Sequence, residues 1–411
     1  PLAVDAADAL GVAGYVAWLM GLVHASVGVG ASALIARAVG GRHKRLANAA
    51  LGQALILALA SGLAIGLGVW GLAAPVGKWC GLDGPSLELC RSYLQIVVLA
   101  APTGALLLVG NAALRGAGDT RSPFVVMVAV NVLNMVLSAL LVFGPEPFGG
   151  HGVAGIAMGT AAAWAMGAVM TLTVLARGWG TPDIRLRLHR LRPHWHTLGR
   201  IVKVGLPNLF ESTVGMWLGN FLGLIIVGSL SIPGVVGAHM IAIRIEAASY
   251  LLGFALAIAA ATLSGQYLGL GDAQRARRAV SLCWAMGAAI MGIMGVLFLT
   301  IPGVLVRLIT DAGPLIDQSV MPIRICSPIQ IFLATQMILA GAMRGAGDTR
   351  TTMMITTLMT LFVRVPAMYV AGIVLGYGLN GIWVAMSVEI IIRALIFAWR
   401  FFHGGWVKVD V

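Results

Sequence analysis

Charge is what this sequence has least of. Only 10% of its 411 residues are Asp, Glu, Lys or Arg, against about 25% in a soluble globular domain. A water-exposed surface cannot be built from that supply, which excludes a soluble fold. Cysteine is nearly as scarce. The four cysteines show no CxxC and no metal-type spacing, so nothing points to a cysteine metal site. No signal-peptide pattern is visible, no stretch reads as a strand, and the alternating ten-residue segments of a membrane barrel are missing. What is abundant is apolar: 59% hydrophobic residues, 54 glycines and a mean hydropathy of +0.94. Glycine at that level suits close helix packing in lipid. The expected class is all-α, a polytopic membrane protein.

A spanning helix needs roughly 20 mostly apolar residues. Eleven segments qualify, at about 10–36, 46–70, 92–113, 122–143, 152–176, 201–229, 234–263, 280–305, 321–342, 351–375 and 380–402. The gaps between them alternate in charge. Twenty basic residues fall on one side, three on the other and four inside helices. The rich side reads as cytoplasmic. The net charge of +12 is therefore a topology signal, with anionic membrane lipid rather than nucleic acid as its neighbour. The run IRLRLHRLR at 184–192 reads either as a segment lying on the inner leaflet or as a solvated linker. Cys80 and Cys90 flank one short loop. They can bond if that loop faces an oxidising compartment, and two unpaired thiols is the equal alternative. Cys283 and Cys326 read as packing residues.

The stretch RGAGDTR occurs at Arg115–Arg121 and again at Arg344–Arg350. The same offset of 229 maps Gly40 to Gly269, Gly66 to Gly295 and Gly152 to Gly381, and carries the first five helices onto later ones. The chain is an internal duplication. The segment 201–229 has its counterpart ahead of Pro1, so the intact protein is expected to hold twelve helices, eleven of them here. Six per copy is even, which predicts two parallel, pseudo-symmetric six-helix lobes. The expected division is 1–176 for the first lobe, 177–200 for a cytoplasmic linker and 201–411 for the second. Each RGAGDTR is expected to be a cytoplasmic turn, with its glycines permitting the reversal. Asp119 and Asp348 are expected to cap the following helix. Arg115 and Arg344 are expected to complement the dipole of the preceding one. A phosphate loop is excluded, since no strand precedes the glycines and no Lys-Ser/Thr follows them.

Two copies of [LM]RGAGDTR resemble the multidrug and toxic compound extrusion (MATE) family. VGLPNLFES at 204–212, RIEAASYLLGFALAIAAATLSGQYLGLGD at 244–272 and GIWVAMSVEIIIRALIFAWRFFHGGW at 381–406 extend the resemblance over nearly the whole chain. The resemblance implies a cation-coupled antiporter that exports small organic, often cationic, compounds, with two six-helix lobes around a central cavity. It implies a monomer in the bacterial inner membrane, with H⁺ or Na⁺ as coupling ion and no other cofactor; the charge alternation is what places the C-terminus in the cytoplasm. The absent first helix departs from the pattern.

An ionisable residue in a helix core costs roughly 2.5–3.5 kcal/mol on insertion scales and needs a reason. The deep acids are Glu211, Glu246 and Glu389, and the basic candidates are Arg244, Arg364, Arg393 and Arg324. Glu389 and Arg393 are four apart and read as a structural ion pair. Glu211 has no opposite charge within four positions. It follows Pro207, with Asn208 and Asn220 on the same segment, and reads as an unpaired acid for a proton, for Na⁺ or for a cationic substrate. Glu246 reads either as a binding residue or as a partner for Arg364, and Tyr250 joins the candidate set. The resemblance tips both Glu211 and Glu246 towards coupling. The first half holds no core carboxylate, only Asp5 and Asp8 at the edge. His24 reads as a packed histidine, and Asn111, Asn131 and Asn134 as bonds between helices. Pro102, Pro328 and Pro366 are expected to kink their helices. A flippase for a lipid-linked or oligosaccharide substrate is the alternative function. No metal-ligand cluster, nucleophile elbow or paired catalytic acids support an enzyme.

Overall fold

The computed structural model describes residues 2–145, 149–181, 183–186 and 193–409. The chain divides into two compact units, Pro1–Leu206 and Pro207–Val411. In the first, α1 (Leu2–Gly40) and α2 (Lys44–Trp79) precede a bent pair, α3 (Gly84–Leu99) and α4 (Ala101–Gly116). Then come α5 (Arg121–Phe143), α6 (Gly152–Arg177) and the start of α7 (Trp195–Phe210). That helix continues through a π-helical stretch, Glu211–Leu218, into α8 (Gly219–Gly228). The second unit then repeats the series: α9 (Val235–Gly269), α10 (Ala273–Thr300), the short α11 (Pro302–Arg307) and a second bent pair, α12 (Gly313–Cys326) and α13 (Gln330–Ala346). The span of α14 (Thr349–Leu358) is interrupted by π-helical turns at Met359–Arg364 and Val370–Val374, which flank α15 (Val365–Tyr369). Last comes α16 (Gly378–His403), closed by a 3₁₀ turn at Gly405–Lys408. No strand occurs among the described residues.

Among the described residues, nine helices are long and apolar enough to cross a membrane, and eleven spans result if each bent pair counts as one. All eleven sequence segments are found. Their ends are not: α3 already begins at Gly84 and α12 at Gly313, inside stretches that the charge count assigns to loops. The prolines explain the bends. Pro102 lacks the N–H that would continue α3 into α4, and the two halves meet at 53°. Pro328 falls between α12 and α13, which meet at 61°. Pro366 and Pro207 produce no comparable bend; each stands beside a π-helical stretch, where the bonding register slips by one residue.

The duplication is visible in backbone detail. In both copies of RGAGDTR the second glycine takes a left-handed conformation, φ 95° at Gly118 and 91° at Gly347. The Asp119 amide reaches back to the Leu114 carbonyl, and that of Asp348 to Met343, in the same helix-ending bond. The first glycine does something else. A Cβ on Gly116 would stand 2.8 Å from the Ser32 carbonyl oxygen of α1, and one on Gly345 would strike the equivalent Ala261 carbonyl of α9. Only one glycine of each motif therefore serves the reversal; the other lets two helices touch through their backbones.

After α6 the described chain is docked rather than solvated. Asn48 of α2 accepts from the Arg185 amide at 2.6 Å, Gln53 accepts from the His194 amide at 2.9 Å, and Lys44 pairs with Asp183 at 2.9 Å. Ile184 is buried. Of the run 184–192, residues 187–192 lie outside the described residues. Cys80, Cys90, Cys283 and Cys326 are all free thiols, and Cys283 and Cys326 pack in the second-lobe core.

Candidate functional site: a charge network in the second lobe

The candidate site grows from three elements of the second lobe. The π-helical turn after Pro207 presents Glu211, which is fully buried. The end of α13 supplies Arg344, whose Nη2 donates to Glu211 Oε1 at 2.6 Å and whose Nε donates to Oε2 at 3.4 Å. One face of α14 carries Thr352 and Thr356, four apart, whose hydroxyls donate to Oε2 at 3.0 Å and Oε1 at 2.8 Å. A carboxylate has about four acceptor positions; Arg344 and Thr356 meet three of them here, and the Thr352 hydroxyl divides its one proton between Glu211 and the Thr349 carbonyl. Glu211 is therefore not the unpaired acid that the sequence suggests. Arg344 is not merely a dipole-complementing cation. Its partner lies 133 positions away, beyond any local rule.

Glu389 is also fully buried and takes two guanidinium groups. Arg393 reaches it from the same helix at 3.0 Å, as the four-residue spacing predicts, and Arg364 from the neighbouring span at 2.8 Å. Arg364 thus forms its ion pair with Glu389, while its charge also reaches Glu246. Glu246 is partly buried on α9 and meets the side chain of Gln330. That amide is held by the Ser249 hydroxyl at 2.7 Å and by the Cys326 carbonyl at 3.0 Å. Of the three deep acids, Glu246 is the one for which no ion pair within 4.0 Å forms among the described residues. Arg244 and Arg324 are exposed.

A cavity of about 100 Å³ adjoins the network within this lobe. Glu211, Arg344, Thr356 and Arg393 line it together with Tyr250, Phe254, Met337 and Gln336. Tyr250 is thus brought to Glu211. Asn208 is buried but does not line the cavity, Asn220 is exposed, and Glu246 lies outside the lining.

The RGAGDTR aspartates part company. Asp119 accepts from the Arg121 and Ser122 amides at 3.0 Å each, as a helix-starting cap. Asp348 makes no backbone cap; it takes the Thr351 hydroxyl at 2.6 Å and Arg400 at 2.8 Å. In the first lobe His24 is buried, Asn111 accepts from Thr171, and Asn134 donates to Thr160. Asn131 bonds within its own helix, to the Met127 carbonyl, instead of between helices.

A family model, MatE, matches residues 2–140 and 209–370. The chain belongs to the MatE family. It is 28% identical over 408 residues to a Thermotoga maritima protein named Probable multidrug resistance protein NorM, covering 98% of this chain and 86% of that one. It is likewise 28% identical over 362 residues to Multidrug resistance protein PmpM of Pseudomonas aeruginosa, covering 85% of this chain and 73% of that one. A crystal structure of MATE in the bent conformation superposes with a TM-score of 0.91 at 22% identity, covering 98% of this chain and 88% of that one, and so shares the fold. This is a MATE transporter, an all-α multi-pass membrane protein. Its matched relatives are transporters rather than enzymes.

Proposed function

We propose that this transporter is a multidrug efflux antiporter, exchanging H⁺ or Na⁺ for small organic, mostly cationic, compounds by alternating access, with its C-terminus in the cytoplasm. The relatives' names support the multidrug reading, and the basic loops support the orientation.

One observation carries the choice of coupling group. Among the described residues no arginine comes within 4.0 Å of Glu246, which meets Gln330 and feels Arg364 only from farther off, whereas Glu211 and Glu389 are held by arginines. An acid locked to a guanidinium gives up its charge only by stranding a buried cation. Glu246 can be protonated or can take Na⁺ without that penalty. An ion bound there biases the inward–outward equilibrium by its differential affinity for the two states. Glu211 and Arg344 are the positioning pair that joins the π-helical turn to α13 and α14. The test is efflux of a fluorescent organic cation from vesicles under an imposed H⁺ or Na⁺ gradient. Efflux that ignores both gradients contradicts the proposal.

A further inference from the structure

The second-lobe cavity holds more donors than its one acid can use. An arginine carries five N–H donors and no acceptor. Arg344 gives two of them to Glu211, one from Nε and one from Nη2. The three that remain, two on Nη1 and one on Nη2, meet no acceptor among the described residues. They are not sealed in the packing, since Arg344 lines the cavity with 22% of its side chain exposed. Arg393 lines the same cavity, and the two guanidiniums feel each other's charge. Glu389 holds Arg393 but divides its charge with Arg364. Two cations therefore face the cavity beside a single carboxylate, Glu211, and Glu246 stands outside the lining. Tyr250 adds a hydroxyl that lies within the field of Arg344 and makes no hydrogen bond among the described residues. Such a lining repels an ammonium. Like charges are costly to bring together away from water, and an anion between them relieves the cost.

The first lobe shows that the bundle packs without this set. At the offset of 229, Arg344 recurs as Arg115, but Arg393 corresponds to Trp164 and Tyr250 to Gly21. The second guanidinium and the hydroxyl are thus additions in one copy of the fold, not a requirement of it.

We infer that this cavity is a subsite for a carboxylate carried by the transported compound, held by the remaining N–H groups of Arg344 and the Tyr250 hydroxyl, with Arg393 supplying the second positive charge. Guanidinium and carboxylate match in geometry, and charge-assisted bonds of this kind are the strong ones. The volume of about 100 Å³ takes a carboxyl group but is below the ~150 Å³ that holds a benzene ring, so the remainder of the compound lies outside. The compounds it selects are organic zwitterions, whose cationic part stays clear of the two arginines. This deepens the multidrug reading by naming a substrate feature, and it rests on that reading only for why such compounds arrive.

The experiment compares two dyes that differ in one group: tetramethylrhodamine, whose aryl carboxylate is free, and its methyl ester. Binding to the full chain, purified in an uncharged detergent, is read by fluorescence anisotropy. The wild type is expected to bind the acid about tenfold tighter than the ester, the scale of one charge-assisted hydrogen bond. The double variant Glu211→Gln with Arg344→Met keeps the net charge of the protein. It is expected to lose the preference by weaker binding of the acid, with the ester held within about twofold. Tyr250→Phe, which alters no charge, is expected to weaken the acid about fivefold, and it serves if the double variant does not fold. Equal weakening of both dyes, no preference in the wild type, or no binding of either overturns the subsite. A preference that added phosphatidylglycerol removes assigns the cavity to a lipid phosphate and overturns it likewise. The expected preference without gradient-driven efflux leaves the subsite standing and removes the antiporter reading instead; gradient-driven efflux of the ester with no preference for the acid does the reverse.

Discussion

The two RGAGDTR lobes share a backbone and differ in what fills it. The close approaches at Gly116 and Gly345, the left-handed glycines at 118 and 347 and the helix-ending amides all recur at one offset. The interior side chains do not. In the first lobe the Trp164 ring lies against Gly104, so that a Cβ on Gly104 would stand 2.8 Å from Cε3. Their counterparts in the second lobe are Arg393 and Leu333, and Thr160 becomes Glu389. One copy packs an indole against a glycine. The other opens a cavity and runs an ion network beside it. Duplication thus preserves the positions that fix helix contacts and frees the rest to specialise.

That contrast can be broken most severely at Arg344. Replacing it with Met leaves Glu211 buried with two threonines only, and about 3–5 kcal/mol of stability is expected to go; thermal unfolding should show it. The double variant Glu211→Gln with Arg344→Met is expected to recover much of the loss, because no uncompensated charge remains. Additive losses would mean that the pair is not coupled. Next comes Gly104→Leu, which imposes the second-lobe residue beneath Trp164. Overpacking of this kind costs roughly 1–3 kcal/mol, and adding Trp164→Ala should relieve part of it. Gly118→Ala and Gly347→Ala sharpen the likeness between the lobes. Each forces an alanine into a left-handed conformation at about 1–2 kcal/mol, and nearly equal losses are expected. Asn48→Ala is the mildest, at about 1 kcal/mol. Its readout is faster amide exchange at 183–186, a segment with no counterpart of Asn48 to hold it elsewhere, since position 277 is Arg.

How much of this was legible depended on distance along the chain. Apolar runs of spanning length gave all eleven spans, and the spacing of Glu389 and Arg393 gave their pair. Helix ends were hidden where interfacial residues such as Lys78 continue a helix past its apolar run. The Glu211–Arg344 pair was invisible because its members are remote and Arg344 already had a local reason to be where it is. A hint was present in α14 itself, where Thr349, Thr352, Thr356 and Thr357 are polar residues buried in a segment of spanning length. Pro207 marked the place of the π-helical turn but not its register. The docking of residues 183–194 could not be read, since Asn48 and Gln53 look like ordinary helix residues until something lies against them.

The account stands most directly on Glu246. The deciding measurement is dye efflux from vesicles holding the full chain, wild type beside Glu246→Gln, with a H⁺ or Na⁺ gradient imposed or absent. The expected result is gradient-driven efflux in the wild type and none in the variant, with dye binding and thermal stability retained in both. A Glu246→Gln protein that still answers the gradient at the wild-type rate would contradict it.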